Sequence, residues 1–519
     1  MAKKPNVILP SGPVSITDCA QELFSLIAPT RTLLNRGGAV VSLVKREDGL
    51  PALEILQPTA ARSFFEKHAN LFAWRVGRNG KPVLQQAICS HDLARALLDS
   101  AEARTLLPSV KGLINCPVLR VVDRQLVSSG VGYDPVTKLF VTGGQRIPEV
   151  GLPTAKERLL DLFAEFDFAT PGDCSRHFAS LMNAALKLAG LLSGRVPADV
   201  AEADDSQSGK TYRQKCIAAV YNEKVALITN RQKGVGSIDE IFDQQLISGR
   251  PFLQFDNFRG RFDSAHLEAF MTADGSFLCR VPYRGAVEVA PENFFVMLSS
   301  NGVNTTRDLA NRSNIIRNRK RVGYAFKSYL EGDLLAHIRA NQAFYLGCVF
   351  AVIRPWHAQG MPGTNELRHD YREWVQKLDW IVQNVFGLAP IMDGHREAQE
   401  QVSNPSLIWL RSLAIAVAQN AELGRWFSAT QIYVLCENLD ISIPGLVDGA
   451  DEGKAVKVIG MIMAKLFGEQ HSIVVDDYEV RREERKLPRT DPNSGGSMTG
   501  KVYSFDRISA PTAPTAATP

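Results

Sequence analysis

Residues 203–213 read "ADDSQSGKTYR", and Ser208, Gly209, Lys210 and Thr211 are the parts of a phosphate-binding turn. Consecutive backbone N–H groups at a helix start can point into one concavity, a lysine ammonium can reach the outer phosphates, and a hydroxyl can join Mg²⁺. The usual first glycine of such a loop is replaced by Asp204, a residue that tolerates left-handed backbone better than most. Further along, "FLQFDN" ends on Asp256, where a carboxylate that holds the metal belongs, with Asn257 after it. "FFVMLSSN" ends on Asn301, an amide that can orient an attacking water. "TTRDLANRSNIIRNRKR" then presents Arg307, Arg312, Arg317, Arg319, Lys320 and Arg321. Each residue also has a plainer reading, as a solvated loop lysine, a strand-end cap, a turn residue or an exposed arginine face. Their order at successive strand ends is what joins them.

Such groups need a rigid scaffold, and the sequence predicts one. "KVALIT", "PFLQFDN" and "NFFVMLSSN" are apolar strand candidates separated by helical stretches, the pattern of a buried, largely parallel sheet. "YRQKCIAAVY" continues from the turn as a helix, and "GDCSRHFASLMNAALKLAGLL" is a second helix with Asp173 as its expected N-cap. The expected class is α/β: a P-loop core with a parallel sheet over residues 151–325, preceded by a mixed α and β domain at 1–150. Residues 142–153 have the glycine and proline density of a linker. A helical region at 326–425 leads to a helix–helix–ribbon order at 426–508 that suggests a winged helix, and the tail 509–519 cannot bury a core.

Composition bounds the function. With 519 residues, 45% hydrophobic and 22% charged, the chain is long enough for several globular domains. A net charge of +4 means that any nucleic-acid surface is local. The eight cysteines show no CxxC pair, which argues against a zinc ribbon or a disulfide framework. No apolar run approaches the length of a membrane span and the N-terminus lacks a signal-peptide core, so a cytoplasmic protein is expected, with no membrane partner.

The run from 153 to 321 resembles the AAA+ ATPase module of helicases carried by phages, plasmids and integrated mobile elements, the group described as MCM-like or primase-associated. The stretches that carry the likeness are "LLDLFAEFDF", "SGKTYR", "GVGSIDEIFDQQLISGRPFLQFDNFRGRFDSAHLEAFMT", "RVPYRG", "LSSNG" and "TTRDLANRSNIIR". The resemblance implies ATP and Mg²⁺ as cofactors, with Ser208, Gly209, Lys210 and Thr211 on the nucleotide and Thr211 and Asp256 on the metal. It implies catalytic roles for Asp256, Asn257, Asn301 and Arg312, the last as an arginine finger reaching a neighbouring subunit. It further implies a homohexameric ring with a hairpin in its channel, where Arg280, Tyr283 and Arg284 meet single-stranded DNA. The sequence departs from the family at Ser206-Gln207-Ser208 and at Asn257, where glutamate is usual; asparagine can orient water but cannot take its proton. Asp239 and Glu240 are other carboxylates that can serve. The function expected is an ATP-dependent DNA helicase or replication initiator of a mobile element. The alternative is a non-motor nucleotide switch, or a DNA-binding protein with weak or lost hydrolysis.

Overall fold

Short runs of valine, leucine and phenylalanine bounded by turn residues are too brief for helices and satisfy their backbone groups by pairing. A computed structural model describes residues 4–46, 49–203, 209–228, 237–256, 261–262, 264–281, 285–301, 304–321, 323–439, 441–446, 451–488 and 497–508. The chain falls into two units. The first comprises Met1–Arg259, Asp263–Asn301 and Asn311–His395, the second Gly260–Phe262, Gly302–Ala310 and Arg396–Pro519.

The N-terminal part of the first unit includes strands β1 (Leu33–Arg36), β2 (Asn70–Val76) and β3 (Pro82–Gln86). β2 and β3 form an antiparallel hairpin, and β2 pairs in parallel with Asn6–Ile8 on its other side. A core around Leu23, Phe24, Phe65 and Leu97 belongs to this part alone.

The chain continues through β4 (Asp167–Phe168), α1 (Pro171–Leu188), β5 (Ala198–Ala203), α2 (Lys210–Val220), β6 (Ala226–Ile228), α3 (Ile238–Ser248) and β7 (Phe252–Asp256). The hairpin strands β8 (Phe277–Val281) and β9 (Gly285–Val289) follow, then β10 (Phe295–Asn301), β11 (Ser313–Arg319) and the long helix α4 (Gln342–Ala358). Six strands make one sheet in the order β4-β11-β5-β10-β7-β6, parallel throughout except at the edge strand β4. All six residues of β5 are buried, as a central parallel strand requires. The architecture is thus mixed α/β with a parallel sheet at its centre, and the three strands expected from the sequence are β6, β7 and β10.

Two expectations are refined. Helix α1 is capped by Thr170, whose hydroxyl accepts from the Asp173 backbone N–H; Asp173 sits inside the first turn. It is buried there with Arg176, which also donates to the carbonyls of Ile315, Ile391 and Asp393. Burial raises the Asp173 carboxyl, but Arg176 and Arg317 outweigh it and the net shift is downward. Residues 143–150 do not hang free: a Cβ on Gly347 of α4 would lie 2.8 Å from the Pro148 carbonyl, so this segment is seated on the helix.

Arg36, 1% exposed, joins the N-terminal part to the sheet by donating to the carbonyls of Leu246 and Ile247 in the last turn of α3. Burial lowers its pKa to about 10, which leaves it charged at neutral pH. Beside it Gly37 has φ +51°, and a Cβ there would come within 1.9 Å of the Glu288 carbonyl on β9, so no side chain fits between turn and hairpin.

The second unit contains α5 (Pro405–Gln419), β12 (Trp426–Ser428), α6 (Ala429–Asn438), α7 (Glu452–Phe467), β13 (Ser472–Val475), β14 (Tyr478–Pro488) and β15 (Ser497–Arg507). Its antiparallel sheet runs β12-β15-β14-β13 over a core that includes Trp409, Ile432, Ile459 and Phe505. Among the described residues no helix is long and apolar enough to cross a membrane. All eight cysteines are free thiols, and seven are buried.

Just beyond α2, Glu223 is buried and accepts the Asn115 backbone N–H at 2.7 Å. Burial, partly offset by Arg250, pushes its carboxyl from the usual 4.5 up to about 7. The folded chain therefore binds a proton that the unfolded chain releases, and the stability contributed is lost as pH rises from about 4.5 through 7. Glu223→Gln cannot lose that proton. Its thermal midpoint should gain on that of the native protein as pH rises from about 5 to 7.5; a difference independent of pH would refute the assignment.

Candidate functional site

At the carboxyl edge of the sheet, β5 ends at Ala203 and α2 starts at Lys210. Gly209 caps the helix with φ +82° and ψ 7°, a left-handed conformation, and a Cβ there would lie 3.2 Å from the Phe166 ring. The left-handed backbone favours glycine at that point, and the ring contact leaves little room for a side chain. The first N–H groups of α2 have no partner within the helix. Lys210, in the first turn, is buried to 8% exposure.

Thr211 is where the elements converge. Its Oγ1 lies 3.1 Å from Asp256 Oδ1 and 2.9 Å from Ser299 Oγ, and Ser299 Oγ donates to the same Asp256 oxygen at 2.7 Å. Strand register explains the meeting, because Asp256 pairs with Ser299, and Ser299 with Ala201. One residue from each of α2, β7 and β10 thus meets at the mouth of the turn. Asn301 is the last residue of β10 and pairs with Ala203. Ser208, Asn257, Tyr283 and Arg284 lie outside the described residues.

A buried polar network beneath the turn holds these parts together. Arg213 and Gln214, the next residues on α2 after Tyr212, are both fully buried. Arg213 forks onto both oxygens of Asp199 on β5, with Nη1 at 3.1 Å from one and Nη2 in contact with the other. Gln214 Nε2 donates to Asp199 Oδ1 at 2.8 Å and to the Leu298 carbonyl on β10 at 3.2 Å, while its Oε1 accepts from Gln254 on β7 at 2.8 Å. Helix α2 is therefore bonded to three strands at once. His177 of α1 lies 3.3 Å from Arg213 through Nδ1; burial first, then the Arg213 cation, hold its imidazole neutral, well below the usual histidine range.

A cavity of about 610 Å³ opens beside Gly209, bounded by Phe166, Tyr212, Arg319, Phe326 and Tyr329. The arginines of the 307–321 segment have separate positions. Arg317 is 3.5 Å from Asp173 within its own chain, and Arg319 lines the cavity. The half-buried Arg312 precedes β11, and its carbonyl accepts from Ala198 at the amino end of β5. Arg312 is thus at the opposite edge of the sheet from Thr211, a strand length away, roughly 20 Å at 3.3 Å per residue. Arg280 is exposed on β8, and its backbone N–H is held by Asp243 of α3 at 2.8 Å.

Sequence reasoning missed Ser299, Asp199, Arg213, Gln214 and the cavity. Two signals were present: an aspartate and a glutamate inside the apolar strand "ADVAEA", and Ser299, two residues before Asn301 and so on the same face of its strand.

Neither a protein-family model nor a curated protein matches this chain. Among solved structures, the A-form apo structure of the NrS-1 C-terminal region is similar over 79% of this chain and 91% of that one, at 11% identity and a TM-score of 0.29. A likeness at that level carries no argument, and the site has to be read from its own chemistry.

Arg213→Ala would leave the Asp199 carboxylate buried without its cation and should lower the unfolding free energy by roughly 3–5 kcal/mol, read from urea midpoints. A loss under about 1 kcal/mol would mean that the pair does not anchor α2.

Proposed function

We propose that this chain binds Mg–ATP at the Gly209–Thr211 turn and hydrolyses it as a ring-forming AAA+-type ATPase that acts on DNA. The observation that carries the reading is the convergence of the Thr211 hydroxyl, the Asp256 carboxylate and the Ser299 hydroxyl at a helix start on the carboxyl edge of a parallel sheet. Ligands in open α/β sheets bind at that edge, and a helix N-terminus there favours phosphate. One carboxylate and two hydroxyls suit Mg²⁺, a hard cation bound through few protein oxygens together with phosphates and water. Thr211 and Asp256 would hold it, and it would neutralise charge on the transferring phosphoryl group. The cavity beside Gly209 is of nucleoside size, with Phe166, Tyr212 and Tyr329 as flat faces for a base and Arg319 as a cation on the same chain.

The position of Arg312 supports the ring. A strand length from the turn of its own chain, it can serve a γ-phosphate only on a neighbour, which is how an arginine finger acts. The exposed face of the β8–β9 hairpin, with Arg280 on it, supports DNA contact there. Helicase action on mobile-element DNA is the fuller form of this reading.

The second unit has a winged-helix order, but its ribbon is not a free basic surface. Arg481 pairs with Glu479, and Arg485 pairs with Glu483 while lying over the Trp426 ring at 4.1 Å. Cations neutralised within the fold favour a protein contact for this unit over a DNA contact.

Lys210→Ala should abolish nucleotide binding. Asp256→Ala should keep binding but lose Mg²⁺-dependent turnover by at least about 100-fold in a phosphate-release assay. ATP binding by Lys210→Ala at native affinity would overturn the site. Arg312→Ala and Lys210→Ala proteins, each inactive alone, should recover activity when mixed, because intact turns then face intact fingers. If Arg312→Ala alone keeps full turnover, the finger assignment fails.

A further inference from the structure

The inner half of β2 enters the core through Leu71, but the outer half of the β2–β3 hairpin does not. All five residues of β3 are exposed, and Val76 at the end of β2 is 81% exposed. β3 is the edge of its sheet, so its outer backbone groups pair with no strand among the described residues. Beyond Trp74 the hairpin is two-stranded and exposed at Arg75, Val76 and all of β3, and a two-stranded ribbon is marginal by itself in water, so this outer part is not accounted for by folding alone.

Its chemistry is one-sided. Residues 70–91 contain Arg75, Arg78 and Lys81 and no Asp or Glu. Among the described residues none of the three cations makes an ion pair, unlike the ribbon arginines of the second unit. The tip that presents them is ordered: Gly77 N–H donates to the Lys81 carbonyl at 2.8 Å, and Gly80 N–H to the Gly77 carbonyl at 3.0 Å, with Gly80 at φ +73°. At the base, the Trp74 N–H is held by Ser11 Oγ at 2.9 Å. The arm is therefore anchored at one end and carries three free cations at the other, with Val76, Val83 and Leu84 solvated between them.

We infer that this hairpin is a nucleic-acid-binding arm, which takes the phosphate backbone with Arg75, Arg78 and Lys81 and lays a sugar against Val83, which pairs with Arg75 and shares its face. Three cations without a carboxylate match a polyanion, while apolar edge pairing with a protein would need none of them. A net charge of only +4 over the chain makes such a local cluster the kind of surface that can bind DNA without attracting it everywhere. The inference does not depend on the nucleotide site.

The test compares the full chain with the Arg75→Ala/Arg78→Ala/Lys81→Ala variant, by fluorescence anisotropy of a labelled oligonucleotide over a series of salt concentrations and without nucleotide. All three substituted side chains are solvent-facing, so the thermal midpoint should hold, which is checked first. The slope of log affinity against log salt should flatten by about 2 on single strands, or about 2.7 on duplex, with affinity falling at least tenfold at low salt. The same differences should appear in a Lys210→Ala background, so failure of the ATPase reading would leave them untouched. Unchanged slope and affinity would overturn the inference. So would an equal loss on a methylphosphonate oligonucleotide, whose neutral backbone offers no charge to read.

Discussion

A guanidinium fully withdrawn from water is costly to bury unless oxygens of a carboxylate or of backbone carbonyls take its N–H groups. Arg213 is held through both Nη groups by Asp199, and because one residue is on α2 and the other on β5, the pair sets the helix against its own preceding strand. Gln214 extends the constraint to β10 and β7. The consequence is geometric. With α2 fixed on three strands, the Thr211 hydroxyl has one place to go, and strand register delivers Ser299 and Asp256 to it. Preorganisation of this kind is what a site that works by positioning and charge requires.

The rest of the first unit extends the same rigidity outward. Asp173, Arg176 and Arg317 tie α1 to β11, which keeps Arg317 engaged inside the chain and leaves Arg319 at the cavity. Arg36 fills the carbonyl end of α3, the helix that leads into the strand of Asp256 and whose Asp243 holds the hairpin of Arg280. The N-terminal part is therefore joined to both the candidate metal ligand and the candidate DNA contact through one helix. Gly37 allows the close approach that this junction needs.

The strands were legible because buried parallel strands are nearly continuous apolar runs, and "PFLQFDN" and "NFFVMLSSN" announce themselves that way. The start of α2 was legible because "SGKTYR" reads as a glycine before a helix, and α2 begins at Lys210 after Gly209; the residues from Asp204 to Ser208 lie outside the described ones. What the sequence concealed was pairing between distant residues. Nothing in the neighbourhood of Asp199 says that it meets Arg213, or that the sheet order sets β10 between β5 and β7. Asp173 has the side chain of a cap, but the helix begins two residues earlier than it, and only the backbone shows that Thr170 is the residue outside. The linker composition of residues 142–153 likewise gave no sign of the Gly347 notch that seats it.

The central claim is that Gly209–Thr211, Ser299 and Asp256 form a site for a nucleoside triphosphate with Mg²⁺. Calorimetric titration of the native chain with a non-hydrolysable ATP analogue measures this without depending on turnover, ring assembly or DNA. The account predicts saturable binding at one site per chain, weakened at least about tenfold when Mg²⁺ is chelated, because Thr211 and Asp256 would hold a metal that offsets the phosphate charge. Absence of saturable heat at millimolar nucleotide, or binding that is indifferent to Mg²⁺, would contradict it.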